Sequence, residues 1–132
     1  MTIAAQADVS RLIDGFGAAL HARDVEASIA LLADEADLTV IPSEGVEIHR
    51  GPQETREFLG RIYSGPRLYG WDLPNRRISV EGSVAWFVAS GDETVEQDGA
   101  RRRIPYCLTG VAVRTLSGWR FRLLHASEDA AQ

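Results

Sequence analysis

Apolar residues Val9, Leu12, Ile13, Phe16 and Leu20 recur at three- and four-residue intervals and draw one stripe along a first helix. The stripe stops at Ala22-Arg23-Asp24, where Asp24 is suited to cap a second helix carrying Val25, Ile29 and Leu32 on one face. So short a joint predicts a helical hairpin. The period then drops to two. Leu38 and Val40 alternate with Thr39 and Ile41, and Val46 and Ile48 alternate with Glu47 and His49, around a Pro42-Ser43-Glu44-Gly45 turn. Gly51-Pro52 opens a third helix with Thr55, Phe58, Leu59 and Ile62 on its apolar face, and Gly65-Pro66 closes it.

Beyond Pro66 the chain reads as strands and turns only. Leu68 to Ser79 is irregular at Pro74-Asn75, Ser83 to Gln97 and Ala100 to Thr115 flank Asp98-Gly99, and Trp119 to Ser127 follows Leu116-Ser117-Gly118. The order ααββαββββ predicts one α+β domain over residues 1–132, with its core from about residue 5 to 128 and its helices on one face of a strongly bent antiparallel sheet.

The turns predict a register. A two-residue Asp98-Gly99 turn pairs Gln97 with Ala100 and, further back, Val88 with Thr109; a three-residue loop at Leu116-Ser117-Gly118 pairs Thr115 with Trp119 and Thr109 with His125. One face then carries Val84, Trp86, Val88, Ser90, Cys107, Thr109, Val111, Val113, Trp119, Phe121, Leu123, His125 and Ser127. This bulky face is expected to meet the helices. The opposite face, with Phe87, Tyr106, Leu108, Arg122 and Leu124 among alanines and glycines, is expected to pack on a second copy. The register also sets Arg101 opposite Glu96 and Arg103 opposite Thr94, so the Arg101-Arg102-Arg103 run reads as a solvated, ion-paired hairpin end.

Composition narrows the chemistry. All 14 basic residues are arginine, so lysine Schiff bases and pyridoxal anchoring are excluded. A net charge of −5 gives no drive toward nucleic acid. No apolar run approaches the ~20 residues of a membrane span, and the N-terminal residues show no secretory pattern, so a cytoplasmic protein is expected. One cysteine, Cys107, and three scattered histidines, His21, His49 and His125, predict neither disulfide, nor metal site, nor cofactor.

The stretches Phe16-Gly17-Ala18-Ala19-Leu20-His21-Ala22-Arg23-Asp24 and Leu31-Leu32-Ala33-Asp34-Glu35-Ala36 resemble the NTF2-like superfamily in its SnoaL-like branch. So do Arg50-Gly51, Gly82-Ser83-Val84-Ala85-Trp86, Gly118-Trp119-Arg120 and His125-Ala126-Ser127, over roughly residues 5 to 128. The resemblance implies a cone of curved sheet wrapped on three helices, a pocket at its open end and dimerisation through the outer sheet face. Its members include ketosteroid isomerases, polyketide cyclases, epoxide hydrolases, dehydratases, a transport factor and a kinase oligomerisation domain, so the fold does not decide the function. The isomerase residues do not carry over: the tyrosine position falls at Phe16, the base at Val40 or Ile41, and the second acid near Thr109. An epoxide hydrolase would need an acid-arginine-acid set in the pocket, for which Asp72 is the one nearby acid, with Arg114, Arg120 and Arg122 directed away.

Within the expected pocket, His125 stands opposite Thr109 as a candidate acid/base, or as a histidine bonded to Thr109 or Ser127 that closes the barrel end. Cys107 reads as a small core residue, since nothing beside it lowers a thiol pKa. Trp71 and Asp72 stand at the pocket rim, to orient a flat ligand or to cover the core edge; Trp86 and Trp119 read as core. The pocket is thus expected to comprise Phe16, Trp71, Asp72, Trp86, Ser90, Cys107, Thr109 and His125. The expected function is binding of a small, largely apolar molecule by a homodimer. The alternatives are a cofactor-free isomerase, cyclase or dehydratase using His125, and a dimerisation module without ligand.

Overall fold

The helix hairpin predicted from the apolar stripe forms in a computed structural model that describes residues 2–44 and 47–129. Helix α1 is Thr2–His21 and α2 is Val25–Ile29. Between them Arg23 adopts a left-handed φ of 56°, with Asp24 N–H donating to Ala19 O and Arg23 N–H to Leu20 O. That geometry ends α1 with a six-to-one and a five-to-two bond, and Asp24 then accepts from Ala27 N–H to start α2. Strand β1 is Thr39–Ile41, β2 is His49–Arg50 and helix α3 is Gly51–Tyr63. The second short strand is thus shorter than its alternation predicts. Val46 lies outside the described residues, and the inward residue is His49, which pairs with Val40 and stacks on Phe58, while Ile48 is exposed.

Strands β3 (Leu68–Glu81), β4 (Val84–Gln97), β5 (Ala100–Thr115) and β6 (Gly118–Glu128) complete one six-stranded sheet, in the order β2-β1-β6-β5-β4-β3. The sheet is mixed rather than wholly antiparallel, because β1 runs parallel to β6. The chain leaving α2 already lies parallel to β6 where Leu32 bridges Phe121, and β1 continues in that direction. The β4–β5 register holds without a slip, from Val84 opposite Val113 to Gln97 opposite Ala100. Asp98 and Gly99, with φ of 53° and 78°, form the turn. At the hairpin end Arg103 pairs with Asp72 and Asp92.

The β5–β6 register departs from expectation in one place. The turn is the two-residue Leu116-Ser117, with Thr115 opposite Gly118, and a bulge at Arg122 restores the expected pairs from Leu123 onward, including Thr109 with His125. One extra residue reverses the parity within β6. Trp119 and Phe121 therefore share the buried face with Leu124 and Ala126.

That buried face is the one the sequence reading placed outside. Ala85, Phe87, Ala89, Tyr106, Leu108, Ala112 and Leu124 are buried against α1 and α3, whereas Val84, Trp86 and Val88 are exposed on the far side, Trp86 at 48%. The reason is curvature. The concave side of a bent sheet is crowded, and small residues line it where it is tightest: a Cβ on Gly110 would stand 2.2 Å from Leu123 O and 2.8 Å from Phe87 Cζ. Phe16 and Phe121 supply the bulk inside instead, edge to face at 6.0 Å. Phe87, Tyr106, Leu108 and Leu124 accordingly cannot form a surface for a second copy. Arg122, the bulged residue, pairs with Glu35 at 2.5 and 3.0 Å.

Candidate functional site: an aromatic cavity with a buried carboxyl

Between α1, α3 and the concave face of the sheet lies a cavity of about 410 Å³. Its walls are apolar and aromatic: Phe16 and Leu20 from α1, Phe58, Leu59 and Ile62 from α3, and Tyr69, Trp71, Tyr106, Leu108, Leu124 and Ala126 from the sheet. Ser43, Glu44, Glu47 and Arg61 stand at the rim, where Arg61 donates to Glu47 and lies over the Phe58 ring.

The wall formed by β3, β4 and β5 also carries polar groups. Glu93 is 6% exposed, lines the cavity and follows Phe87, Ala89 and Gly91 at alternate positions of β4, so the strand period itself turns it inward. Burial raises its carboxyl to about 8, helped by the charges of Glu128 and Glu44 and opposed by the Trp71 indole and by Arg67. Tyr106 is buried beside it, and burial pushes its phenol far above the ordinary value. Trp71 stacks on Phe16 at 5.5 Å and tilts against Tyr106 at 6.0 Å. Its buried Nε1–H is directed at Glu93 and Tyr106 and favours their charged forms, at a geometry too loose for a full hydrogen bond. Glu93 likewise has no guanidinium bound to it: Arg67 donates to Gln97 and Glu44 instead.

Of the expected pocket residues, Phe16 and Trp71 line this cavity. Asp72 does not. It is exposed, accepts from Arg103, and lines a separate polar cleft of about 480 Å³ on the far side of Trp71, with Asp14, His21, Arg76 and Arg101. Trp86, Ser90, Cys107, Thr109 and His125 occupy the outer face, for the reason of curvature given above. His125 is exposed; Thr109 Oγ1 donates to its backbone oxygen at 3.2 Å, and the imidazole has no access to the cavity. The expectation that Asp72 is the one acid near the pocket is corrected by Glu93. Its signal was present as one acid within the stripe Ala85, Phe87, Ala89, Gly91, Glu93, Val95, which becomes meaningful once that stripe is placed inside.

Among the described residues no group of three or more His, Cys, Asp or Glu is gathered so as to hold a metal ion, and no helix is long and apolar enough to cross a membrane.

A family model described as a SnoaL-like domain matches residues 9–131. The fold is shared with solved structures at low identity. A protein from Streptomyces avermitilis, described as a candidate dehydratase of the NTF2-like family, superposes with a TM-score of 0.84 at 20% identity, over 94% of this chain and 95% of that one. A candidate aromatic ring hydroxylase from Novosphingobium aromaticivorans gives 0.86 at 16%, over 97% and 91%. An NTF2-like superfamily protein from Salmonella enterica gives 0.82 at 18%, over 96% and 92%. A search of curated proteins gives no match.

Proposed function

The chain belongs to the SnoaL-like domain family, and we propose that it binds a small, largely apolar molecule in the cavity between α1, α3 and the sheet. The observation that carries this reading is the combination of apolar walls around about 410 Å³ with a few polar groups set among them. That is the make-up of ligand sites, in which apolar surface supplies affinity and a few polar atoms fix orientation. A filled core would have closed the space around Trp71 and left no buried indole N–H without a partner. Substituting Ala126→Phe fills the cavity from its floor. Isothermal titration with a neutral naphthalene-sized probe such as 1-naphthylmethanol should then lose binding by about tenfold or more, as expected when a ligand's apolar contacts are blocked. Equal binding by the variant would place the ligand elsewhere.

A second reading is favoured by Glu93 itself. A buried carboxyl that titrates at about 8 is matched to proton transfer near neutral pH, so an acid/base role in an isomerase, cyclase or dehydratase would belong to Glu93 rather than to His125. A rate profile whose ionisation near 8 disappears in Glu93→Gln would support catalysis.

The protein acts as a homodimer through the outer face, where exposed Val84, Trp86 and Val88 lie in one row beside the strand carrying Val111. An exposed apolar row of this kind is what a partner surface would cover.

A further inference from the structure

We propose that the cavity selects a cationic ligand: an apolar molecule bearing one basic amine, its ammonium seated against the Glu93 carboxyl and its body against the aromatic walls. This deepens, and rests on, the reading of the cavity as a ligand site. Three observations carry it. First, the charge around the cavity is unbalanced toward acid. Glu44, Glu47, Glu93 and Glu128 bear on it, against Arg61 and Arg67. Secondly, both guanidinium groups are committed. Arg61 is held by Glu47 and the Phe58 ring, and Arg67 by Glu44 and Gln97, so neither caps Glu93. Thirdly, Glu93 is nine-tenths buried and faces the cavity with no guanidinium bound to it, and the donor set against it is the Trp71 indole N–H.

These features suit a ligand that brings a cation. Burial keeps Glu93 protonated up to about pH 8, and no arginine stands ready to pair with it once it ionises. An ammonium group would both neutralise Glu93 and recruit the Trp71 N–H to the second side of the ionised carboxylate. Tyr69 and Tyr106, which line the cavity beside Glu93, add aromatic rings that attract a cation. An anionic ligand meets the opposite situation: Glu128 and Glu44, joined by Glu93 once it ionises, repel it, and Arg61 and Arg67 are already paired. The same field opposes build-up of negative charge on a ligand oxygen, so the site is poorly made for stabilising an enolate.

The groups facing Glu93 are Tyr69 and Trp71 from β3, Tyr106 from β5, Glu128 from β6, Glu44 after β1 and Arg67 before β3. Because Glu93 must lose its proton to pair with an ammonium, amine affinity should rise with pH. From pH 6.5 to 8.5, titration of one carboxyl at about 8 gives an increase of about 20-fold.

The test is calorimetric titration of the full chain with 1-naphthylmethylamine, 1-naphthylmethanol and 1-naphthoate at pH 6.5, 7.5 and 8.5. The amine should bind best at pH 8.5, by about tenfold or more over the alcohol, and the naphthoate worst. Glu93→Gln, which is isosteric and removes like-charge repulsion, should abolish both the pH dependence and the amine preference while retaining alcohol binding. If the alcohol equals or exceeds the amine at every pH, the cationic assignment fails while the ligand site stands. If none of the three binds, the ligand site itself fails. The wild-type pH series decides between these outcomes even without the variant.

Discussion

Replacing Glu93 by glutamine should change how the stability of this protein depends on pH, in a direction opposite to ordinary acid denaturation. Most carboxyls are held below their usual pKa when folded, and their contribution is lost as pH falls. Glu93 is the reverse case: it titrates at about 8 in the folded chain against 4.5 for an ordinary glutamate. The folded state therefore holds a proton that the unfolded state has released, and stability falls as pH rises through this window. Each pH decade between the two values removes about 1.4 kcal/mol, so about 4 to 5 kcal/mol is lost between pH 4.5 and 8. That is a large share of the roughly 5–15 kcal/mol that holds an ordinary domain together. Glutamine keeps the shape and never ionises. Urea unfolding at intervals from pH 5 to 9 should show the two proteins close at pH 5 and the variant ahead by on the order of 4 kcal/mol at pH 8.5. Any fixed difference between the amide and the protonated acid is the same at every pH, so the slope isolates the ionisation. Parallel stability curves for the two proteins would refute the burial and the charge environment assigned to Glu93.

Three further outcomes test the frame that holds the cavity. Gly110→Ala should cost about 2–3 kcal/mol in thermal or chemical unfolding, because its Cβ would meet Leu123 O at 2.2 Å and backbone must move; a neutral effect would contradict the tight concave face. Arg23→Gly should stabilise the chain by about 1 kcal/mol, since Arg23 sits at a φ of 56° that glycine adopts without strain; a drop in melting temperature would overturn that. Trp86→Glu should convert a dimer to a monomer in sedimentation equilibrium at micromolar concentration, and a wild-type protein that is already monomeric there would remove the outer-face interface.

The elements and pairings were legible because they rest on local chemistry. Asp98-Gly99 has the conformational freedom a tight hairpin needs, and the β4–β5 pairing followed residue for residue. Gly51-Pro52 likewise marked the start of α3. The face assignment failed because bulk is a poor guide to burial in a curved sheet. Trp86 and Val88 are larger than Ala85 and Ala89, yet the alanines are buried on the concave side with Phe87 between them, and Trp86 and Val88 face outward. The bulge at Arg122 compounded this, since nothing local distinguishes a three-residue loop from a two-residue turn with an extra residue further along β6. With the face reversed, His125 left the site and Glu93 entered it. Phe16 and Trp71 kept their places because α1 and the start of β3 do not depend on that register.

The most direct test of the account is a crystal structure of the protein soaked with 1-naphthylmethylamine. The account predicts the naphthalene ring between Phe16, Tyr106, Leu108 and Leu124, with the amine nitrogen at hydrogen-bond distance from a Glu93 carboxyl oxygen. Ligand density on the outer face beside Trp86 and His125, with the cavity around Glu93 left unfilled, would contradict it.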